Sequence, residues 1–221
     1  MKILVYGGKG WIGQQFISLL SQKGLNFVCG KEKTEYFNEI NQIKPTHVVA
    51  FIGRTHGEGF TTIDYLEQPG KLKENINDNL FSPLLIAEAC RTSGIHFTYL
   101  GTGCIFKYSG DISEFSEDDK PNFFGSSYSI VKGFTDQLMT NYDNVLNLRI
   151  RMPITEVKHP RNLITKITTY EKICSIPNSM TVLPLLLPYV IDLMIMKHTG
   201  TLNFTNLGVI SHNEILQMYR E

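Results

Sequence analysis

The sequence lacks the features that mark a metal site, a disulfide scaffold or a strongly charged surface. Its 221 residues include four cysteines. None of the four has CxxC spacing, which predicts neither a zinc site nor a disulfide framework. Lys plus Arg and Asp plus Glu number 21 each, and this balance argues against nucleic acid as a partner. We therefore expect no metal and a small molecule as the ligand.

Long apolar runs are also missing. A membrane-spanning helix needs about 18 consecutive apolar residues, and Pro184, Pro188 and Asp192 interrupt the most apolar stretch of the chain. The N-terminus has no charged segment followed by an apolar stretch and a cleavage site, as a secretory signal would have. These absences predict a cytoplasmic protein without a membrane partner.

Apolar, β-branched runs alternate with segments of helical period through the first 150 residues. Such alternation predicts an α/β fold, a Rossmann-type doubly wound parallel sheet, and residues 151–221 are expected to form a small, partly interleaved C-terminal substrate lobe. A helix over 72–92 should be kinked or broken at Pro83. Ser211 and Glu214 form a capping box, yet the chain stops at Glu221 without a C-cap signal, which raises the expectation of a truncated lobe. Strands are predicted at 3–6, 27–29, 47–52, 96–100 and 145–150, and further helices at 11–20, 35–43 and 125–141.

Glycines follow the first predicted strand at the point where a helix begins. Gly7, Gly10 and Gly13 allow a sharp turn and the close approach of a pyrophosphate to backbone N–H groups, with Trp11 and Ile12 beside them. The pattern predicts dinucleotide binding, although an ordinary tight turn has similar glycines. After the second strand, at 30–33, Lys31 stands where it would meet a 2′-phosphate, which favours NADPH over NADH. An exposed lysine in a polar turn is the alternative interpretation.

A tyrosine and a lysine lie one helical turn apart, at Tyr128 and Lys132. A phenol has an ordinary pKa of about 10, and a neighbouring ammonium would lower that pKa by favouring phenolate. Thr102, at the end of an earlier strand, could donate a hydrogen bond to a substrate carbonyl oxygen. A core tyrosine and a solvated lysine would have the same spacing by chance, but the glycine pattern and Thr102 favour a reductase site.

These motifs resemble the extended short-chain dehydrogenase/reductase family. Within it, the chain is similar to the bifunctional UDP-4-keto-6-deoxyglucose 3,5-epimerase/4-reductases of UDP-rhamnose synthesis. The resemblance spans nearly the whole chain, and it implies a cofactor contact at Pro153 and a homodimer. The motifs that carry it are residues 101–106, 121–123, 128–132, 148–153, 161–166, 176–180 and 203–206.

The resemblance also implies roles for residues after the threonine. Related dehydratases have two acidic residues there, whereas this chain has Gly103 and Cys104, which argues against dehydration. Cys104 is then a candidate epimerisation acid/base or, alternatively, a small packing residue. A thiol with an ordinary pKa of about 8.5 needs a nearby cation to act as a base at neutrality. Lys166 is the expected cation. Alternatively, Lys166 is the second proton carrier or only contacts a phosphate.

The remaining candidates concern the substrate. Thr55 and His56 follow the third strand and could touch the sugar, although a loop histidine between glycines is often only exposed. The resemblance implies that Arg161, Asn162 and Asn178 hold the diphosphate or uracil of a UDP-sugar. It also implies that Asn79 supports the active-site hydrogen-bond network. Alternatively, Asn79 forms hydrogen bonds with backbone groups left unpaired near Pro83. Rival interpretations of the whole chain are a reductase without epimerase activity and a non-catalytic NADP-binding protein.

Overall fold

The computed structural model describes residues 1–31, 35–108 and 114–220, so positions 32 and 33 of the predicted turn lie outside the described residues. Within them, six parallel strands form the central sheet in the order β2-β1-β3-β4-β5-β8, and β6 pairs with β7 in a separate small sheet. The strands are β1 Ile3–Tyr6, β2 Phe27–Cys29, β3 His47–Ala50, β4 His96–Thr102, β5 Val145–Ile150, β6 Pro153–Ile154, β7 Thr181–Val182 and β8 Gly200–Asn203.

Along the chain, helices connect successive parallel strands, as βαβ crossovers require. A 3₁₀ helix also covers Ile63–Glu67, and a π-helical turn covers Asn77–Phe81. The α-helices are α1 Trp11–Gln22, α2 Tyr36–Ile43, α3 Leu72–Ile76, α4 Ser82–Thr92, α5 Ser127–Met139, α6 Leu163–Ile167, α7 Leu183–Ile195 and α8 His212–Arg220.

Both faces of the sheet are covered by helices. Alternate residues of β1 point to opposite faces: Ile3 packs with Phe16 of α1 and Leu187 of α7, whereas Leu4 packs with Ile40 of α2 and Ile86 of α4. A strand buried on both faces is apolar throughout rather than alternating, as 3–6 is. The predicted doubly wound parallel sheet is therefore confirmed.

The predicted break near Pro83 takes the form of a π-helical turn. Proline has no N–H with which to bond the carbonyl of residue 79. The Asn79 carbonyl instead accepts a hydrogen bond from the Thr135 hydroxyl of α5, at 2.6 Å. The wider turn and this bond join the long helical segment to α5.

The C-terminal segment, residues 151–220, contributes both to the central sheet and to a separate small cluster. Its α7 and β8 belong to the central sheet and its cover. Its α6 and α8 pack together through Ile167, Met180 and Ile215, beside the small β6–β7 sheet. The predicted capping box is present, since Glu214 accepts from the Ser211 backbone N at 2.8 Å and from its hydroxyl at 2.6 Å. The exact division at 150/151 stays a prediction.

None of the described helices is long and apolar enough to cross a membrane. The cytoplasmic location, the homodimer and the truncated lobe stay predictions.

Candidate active site

The cleft lies at the carboxyl edge of the sheet, where the strand order reverses between β1 and β3. Ligands of open α/β sheets bind at such a switch point. Two adjoining cavities open there. The glycine-loop cavity has about 210 Å³ and the Tyr128 cavity about 370 Å³. Both are lined by Gly10, Phe51, Ile52, Gly53 and Arg161.

The glycine loop has no room for side chains. Gly7 has φ +72°, and a Cβ on it would come within 2.7 Å of the Phe51 backbone. A Cβ on Gly13 would lie 2.2 Å from the Gly7 carbonyl oxygen. Gly10 precedes α1 as an N-cap with no side-chain cap hydrogen bond, so N–H groups of the first turn point into the cleft as donors for an anion.

Two predicted cofactor contacts lie at different ends of this cleft. Lys31 lines the glycine-loop cavity with Arg54, and its backbone N donates to Glu39 Oε1 at 3.0 Å. Pro153 lines the Tyr128 cavity together with Trp11 and Ile12. The cleft is therefore long enough to run from the end of β2 to the end of β5.

Local capping fixes the helix that carries Tyr128. The Ser126 hydroxyl accepts from the Ser129 backbone N at 3.1 Å, as an N-cap does. Glu67 accepts from the backbone N of Ser127 at 2.9 Å and of Tyr128 at 3.2 Å. A carboxylate at this end of a helix is also favoured by the helix dipole. Glu67 was not identified from the sequence, because it lies 61 residues from its partner.

The pKa of Tyr128 differs from the prediction. Burial raises the pKa of Tyr128 above its ordinary value, and negative charge on Cys104 raises it further. A hydrogen bond from Thr102 and the charge of Arg151 oppose this rise. The expectation that Lys132 lowers the pKa of Tyr128 is wrong. A phenol with a raised pKa keeps its proton, which suits a proton donor.

Lys132 is buried and turned towards another tyrosine. Its Nζ donates to Tyr99 Oη and lies 4.6 Å from the centroid of the Tyr99 ring. Burial lowers the pKa of Lys132 to about 8, while the charges of Asp136 and Cys104 oppose the shift. Tyr99 was not identified from the sequence, where it reads as one more apolar residue of β4.

Cys104 follows β4 and contacts an arginine. The Arg151 guanidinium Nη1 donates to Cys104 Sγ at 2.8 Å. The Cys104 backbone N donates to the Thr102 hydroxyl at 3.1 Å, and Cys104 packs against the cluster of Tyr65 and Tyr128. The predicted cation at the cysteine was Lys166, whereas the structure places Arg151 there.

Lys166 also lines the Tyr128 cavity. Burial lowers the pKa of Lys166, and the charge of Arg161 lowers it further. Its short helix is capped by Asn162, whose Oδ1 accepts from the Ile164 backbone N at 3.2 Å. The Asn162 amide also donates to the carbonyls of Thr155 and Val157, at 2.7 and 2.9 Å. Asn162 was expected to bind substrate, but these bonds occupy its buried side chain, so it positions Lys166 instead.

The other predicted substrate residues separate in space. Thr55 lines the Tyr128 cavity, but His56 lines the glycine-loop cavity, where its ring contacts the Arg161 guanidinium. Arg161 borders both cavities. Asn178 instead lines a third cavity of about 420 Å³, with Arg149 and Arg151.

Asn79 has the supporting position that the resemblance implied. Its Oδ1 accepts from the Arg54 backbone N and its Nδ2 donates to the Arg54 carbonyl, both at 2.9 Å. Nδ2 also donates to Asn75 Oδ1 at 2.9 Å, and Asn75 donates to the Ser127 hydroxyl at 2.9 Å. This chain of bonds connects the loop after β3 to the start of α5.

Comparison with known proteins places these features in a family. Residues 1–143 match the family model described as the RmlD substrate binding domain. The chain is 56% identical over 230 residues to protein L780 of Acanthamoeba polyphaga mimivirus, covering 100% of this chain and 80% of that one. It is 42% identical over 228 residues to the bifunctional dTDP-4-dehydrorhamnose 3,5-epimerase/dTDP-4-dehydrorhamnose reductase of Arabidopsis thaliana, covering 99% and 74%.

A longer relative matches over one part of its length. The trifunctional UDP-glucose 4,6-dehydratase/UDP-4-keto-6-deoxy-D-glucose 3,5-epimerase/UDP-4-keto-L-rhamnose-reductase of Arabidopsis thaliana is 42% identical over 231 residues. The match covers 100% of this chain but 34% of that protein.

Solved structures agree with the fold. The crystal structure of the L780 UDP-rhamnose synthase from the mimivirus has a TM-score of 0.94 and 55% identity, covering 100% of this chain and 80% of that chain. A dTDP-4-dehydrorhamnose reductase from Clostridium acetobutylicum has a TM-score of 0.81 at 18% identity, with coverage of 100% and 80%. At that identity, the second likeness concerns the fold alone.

Proposed function

Because this chain belongs to the family of the RmlD substrate binding domain, we propose that it epimerises a UDP-4-keto-6-deoxyhexose at C3 and C5 and then reduces C4 with NADPH. The product is UDP-L-rhamnose. The observation that carries the proposal is the meeting of Thr102, Cys104, Tyr128 and Lys166 in one cavity beside the glycine loop. The relatives that carry both activities in their names support it.

The cleft fits a dinucleotide. A pyrophosphate needs exposed backbone donors, and the tight turn that Gly7 and Gly13 permit places the start of α1, with Gly10, at the cavity wall. The two cavities share Gly10 and Arg161, so a charged diphosphate there would have both a guanidinium and the helix N-terminus as partners. We assign Arg161 to the cofactor for this reason, and Lys31 to the 2′-phosphate. NADPH, when bound, supplies the hydride for C4.

Epimerisation uses the acidity of carbons next to a ketone. Cys104 removes a proton from C3 or C5, and the electron pair of the C–H bond moves to the ketone oxygen as an enolate. Hydrogen bonds from Thr102 and Tyr128 stabilise that oxygen. Lys166 returns a proton to carbon, because its lowered pKa eases release.

Reduction uses the same ketone oxygen. Tyr128 keeps its proton in the buried site and gives it to the oxygen as negative charge develops. Lys132 holds positive charge near this point. One oxygen-binding pair, Thr102 and Tyr128, therefore serves both steps.

The test follows the two reactions separately. The protein is incubated with UDP-4-keto-6-deoxyglucose in deuterated water, without and with NADPH, and C3 and C5 are followed by NMR. We expect deuterium at both carbons without NADPH and a rhamnose-configured product once it is added. NADPH oxidation only with a pre-epimerised ketone would indicate a plain reductase, and cofactor binding without either reaction would indicate a non-catalytic protein.

A substitution at Cys104 separates the steps further. We expect Cys104→Ser to slow deuterium exchange by about 100-fold or more, the usual value of an acid/base group, while reduction of a pre-epimerised ketone continues. Cys174→Ser is the matched control, since Cys174 is exposed. Equal loss of both reactions in Cys104→Ser would contradict the role of Cys104.

A further inference from the structure

Arg151 is fixed against Cys104 from two sides. Its Nη1 donates to Cys104 Sγ at 2.8 Å, and its Nε donates to Asn178 Oδ1 at 3.0 Å. Its backbone N donates to the Thr181 hydroxyl at 2.9 Å, and its carbonyl accepts from the Thr181 backbone N at 2.8 Å. A long side chain held at both its base and its head has little freedom to leave the sulfur.

Asn178 is itself held in place. Its backbone pairs with that of Ile210 in an antiparallel bridge, with N–O distances of 3.0 Å in both directions. The residue lines the third cavity rather than the Tyr128 cavity. Its amide oxygen therefore aims the guanidinium, which lines both cavities.

The chemistry of the two neighbouring cations differs. A guanidinium remains charged in any protein environment, and a hydrogen bond from it to an anion is charge-assisted. Lys166 is half-buried, and burial with the charge of Arg161 lowers its pKa. Lys166 thus suits proton release, whereas Arg151 suits lasting stabilisation of negative sulfur.

We propose that Arg151 is a catalytic residue of epimerisation, whose guanidinium holds the Cys104 sulfur as a thiolate towards the sugar ring, and that Asn178 is the positioning residue that aims it. The role in epimerisation rests on the proposed function. The contact itself does not, because it concerns the state of a sulfur that can be probed without substrate.

The proton step balances without a further reactant. The thiolate takes a proton from the carbon beside the ketone and becomes a thiol, and the C–H electron pair becomes the enolate. The Lys166 ammonium then gives its proton to the same carbon and becomes an amine. Proton exchange with water restores both side chains, and deuterated water labels the carbon.

The first readout is the reactivity of Cys104 without substrate. Iodoacetamide reacts with thiolates, and mass spectrometry follows Cys104 against exposed Cys174 in the same chain. We expect Arg151→Gln to slow alkylation of Cys104 relative to Cys174 by about tenfold, as loss of a thiolate-stabilising cation predicts. Arg151→Lys should give an intermediate alkylation rate, because lysine keeps the positive charge but lacks the planar guanidinium with its several N–H donors.

The second readout is catalysis. Arg151→Gln should slow deuterium exchange at C3 and C5 by about 100-fold, a much larger factor than its effect on kcat for reduction of a pre-epimerised ketone. Asn178→Ala should lower both exchange and alkylation less than Arg151→Gln. Methylguanidine added to Arg151→Ala should restore part of the exchange. Arg91→Gln, an exposed arginine paired with Glu88, is the control.

The outcomes distinguish the two proposals. Parent-like alkylation of Cys104 in Arg151→Gln would overturn the inference, as would equal loss of exchange and reduction. If the parent protein alkylates as expected but never exchanges deuterium, the proposed epimerisation fails, and the catalytic role of Arg151 fails with it, while its contact with Cys104 stands. Thermal unfolding of each variant identifies any that does not fold.

Discussion

Lys132 illustrates at the scale of one residue how burial changes a functional group. Its ammonium is sequestered beside Tyr99, and burial lowers its pKa to about 8. Because the charged form exists below that pKa, the reductive step loses its cation as the pH rises through about 8. We expect kcat/KM for reduction of a pre-epimerised ketone to fall above that pH, since kcat/KM reports the free enzyme.

A variant tests whether Lys132 causes this fall in kcat/KM at high pH. Negative charge on Cys104 raises the pKa of Lys132, so Cys104→Ser should make kcat/KM fall at a lower pH. Cys174→Ser should leave that pH unchanged, because Cys174 is exposed and absent from the cavity. A parent profile that stays flat to pH 10, near the ordinary pKa of lysine, would contradict the role of the buried ammonium.

The sequence was sufficient to predict those site residues that lie close together along the chain. Tyr128 and Lys132 are neighbours on one helix, and Thr102 and Cys104 are two residues apart. Arg151 lies in the motif 148–153, but its role was missed because its partner lies 47 residues away. Asn162 and Asn178 were placed on the substrate because an amide in a motif does not reveal which partners tertiary structure will give it.

At the scale of elements, the π-helical turn depends on a bond between two helices. Thr135 is fully buried and donates to the Asn79 carbonyl at 2.6 Å, a group that Pro83 cannot satisfy. Removing the donor takes this hydrogen bond from a buried carbonyl, and an unmet buried acceptor costs about 1–3 kcal/mol. We expect Thr135→Val, which has nearly the same shape, to lower the free energy of unfolding by that amount in a urea titration.

Thr135→Ser is the matched control for this bond. It keeps the hydroxyl and loses only a methyl group, at a cost of about 1 kcal/mol. If the serine variant is less stable than the valine variant, packing rather than the hydrogen bond holds the turn. The sequence predicted a kink or a break at Pro83, but not a π-helical turn, because the bond to the Asn79 carbonyl comes from Thr135 of a different helix.

At the scale of the whole molecule, alternating apolar runs were enough to predict the sheet. The C-terminal segment was harder, since its short strands and proline-rich stretches carry weak periodicity. Its β8 completes the central sheet and α7 covers it, while α6 contributes Leu163 and Lys166 to the lining of the Tyr128 cavity. One segment thus belongs both to the core and to the site.

One aromatic contact joins the glycine loop to this C-terminal segment. Trp11, the single tryptophan of the chain, stacks on His159 with ring centroids 5.2 Å apart and an interplanar angle of 4°. Burial and the charge of Arg161 lower the pKa of His159, so the ring stays neutral at pH 7. Trp11 also lines the Tyr128 cavity.

We expect NADPH to quench the fluorescence of Trp11, giving a binding curve from one fluorophore. An aromatic pair contributes about 1 kcal/mol, which corresponds to roughly fivefold in Kd. His159→Ala should therefore weaken NADPH binding by about that factor, because the glycine loop loses this contact with the C-terminal segment. His198→Ala, an exposed histidine outside both cavities, should bind as the parent does. Unchanged affinity in His159→Ala would mean that the stack does not contribute to NADPH binding.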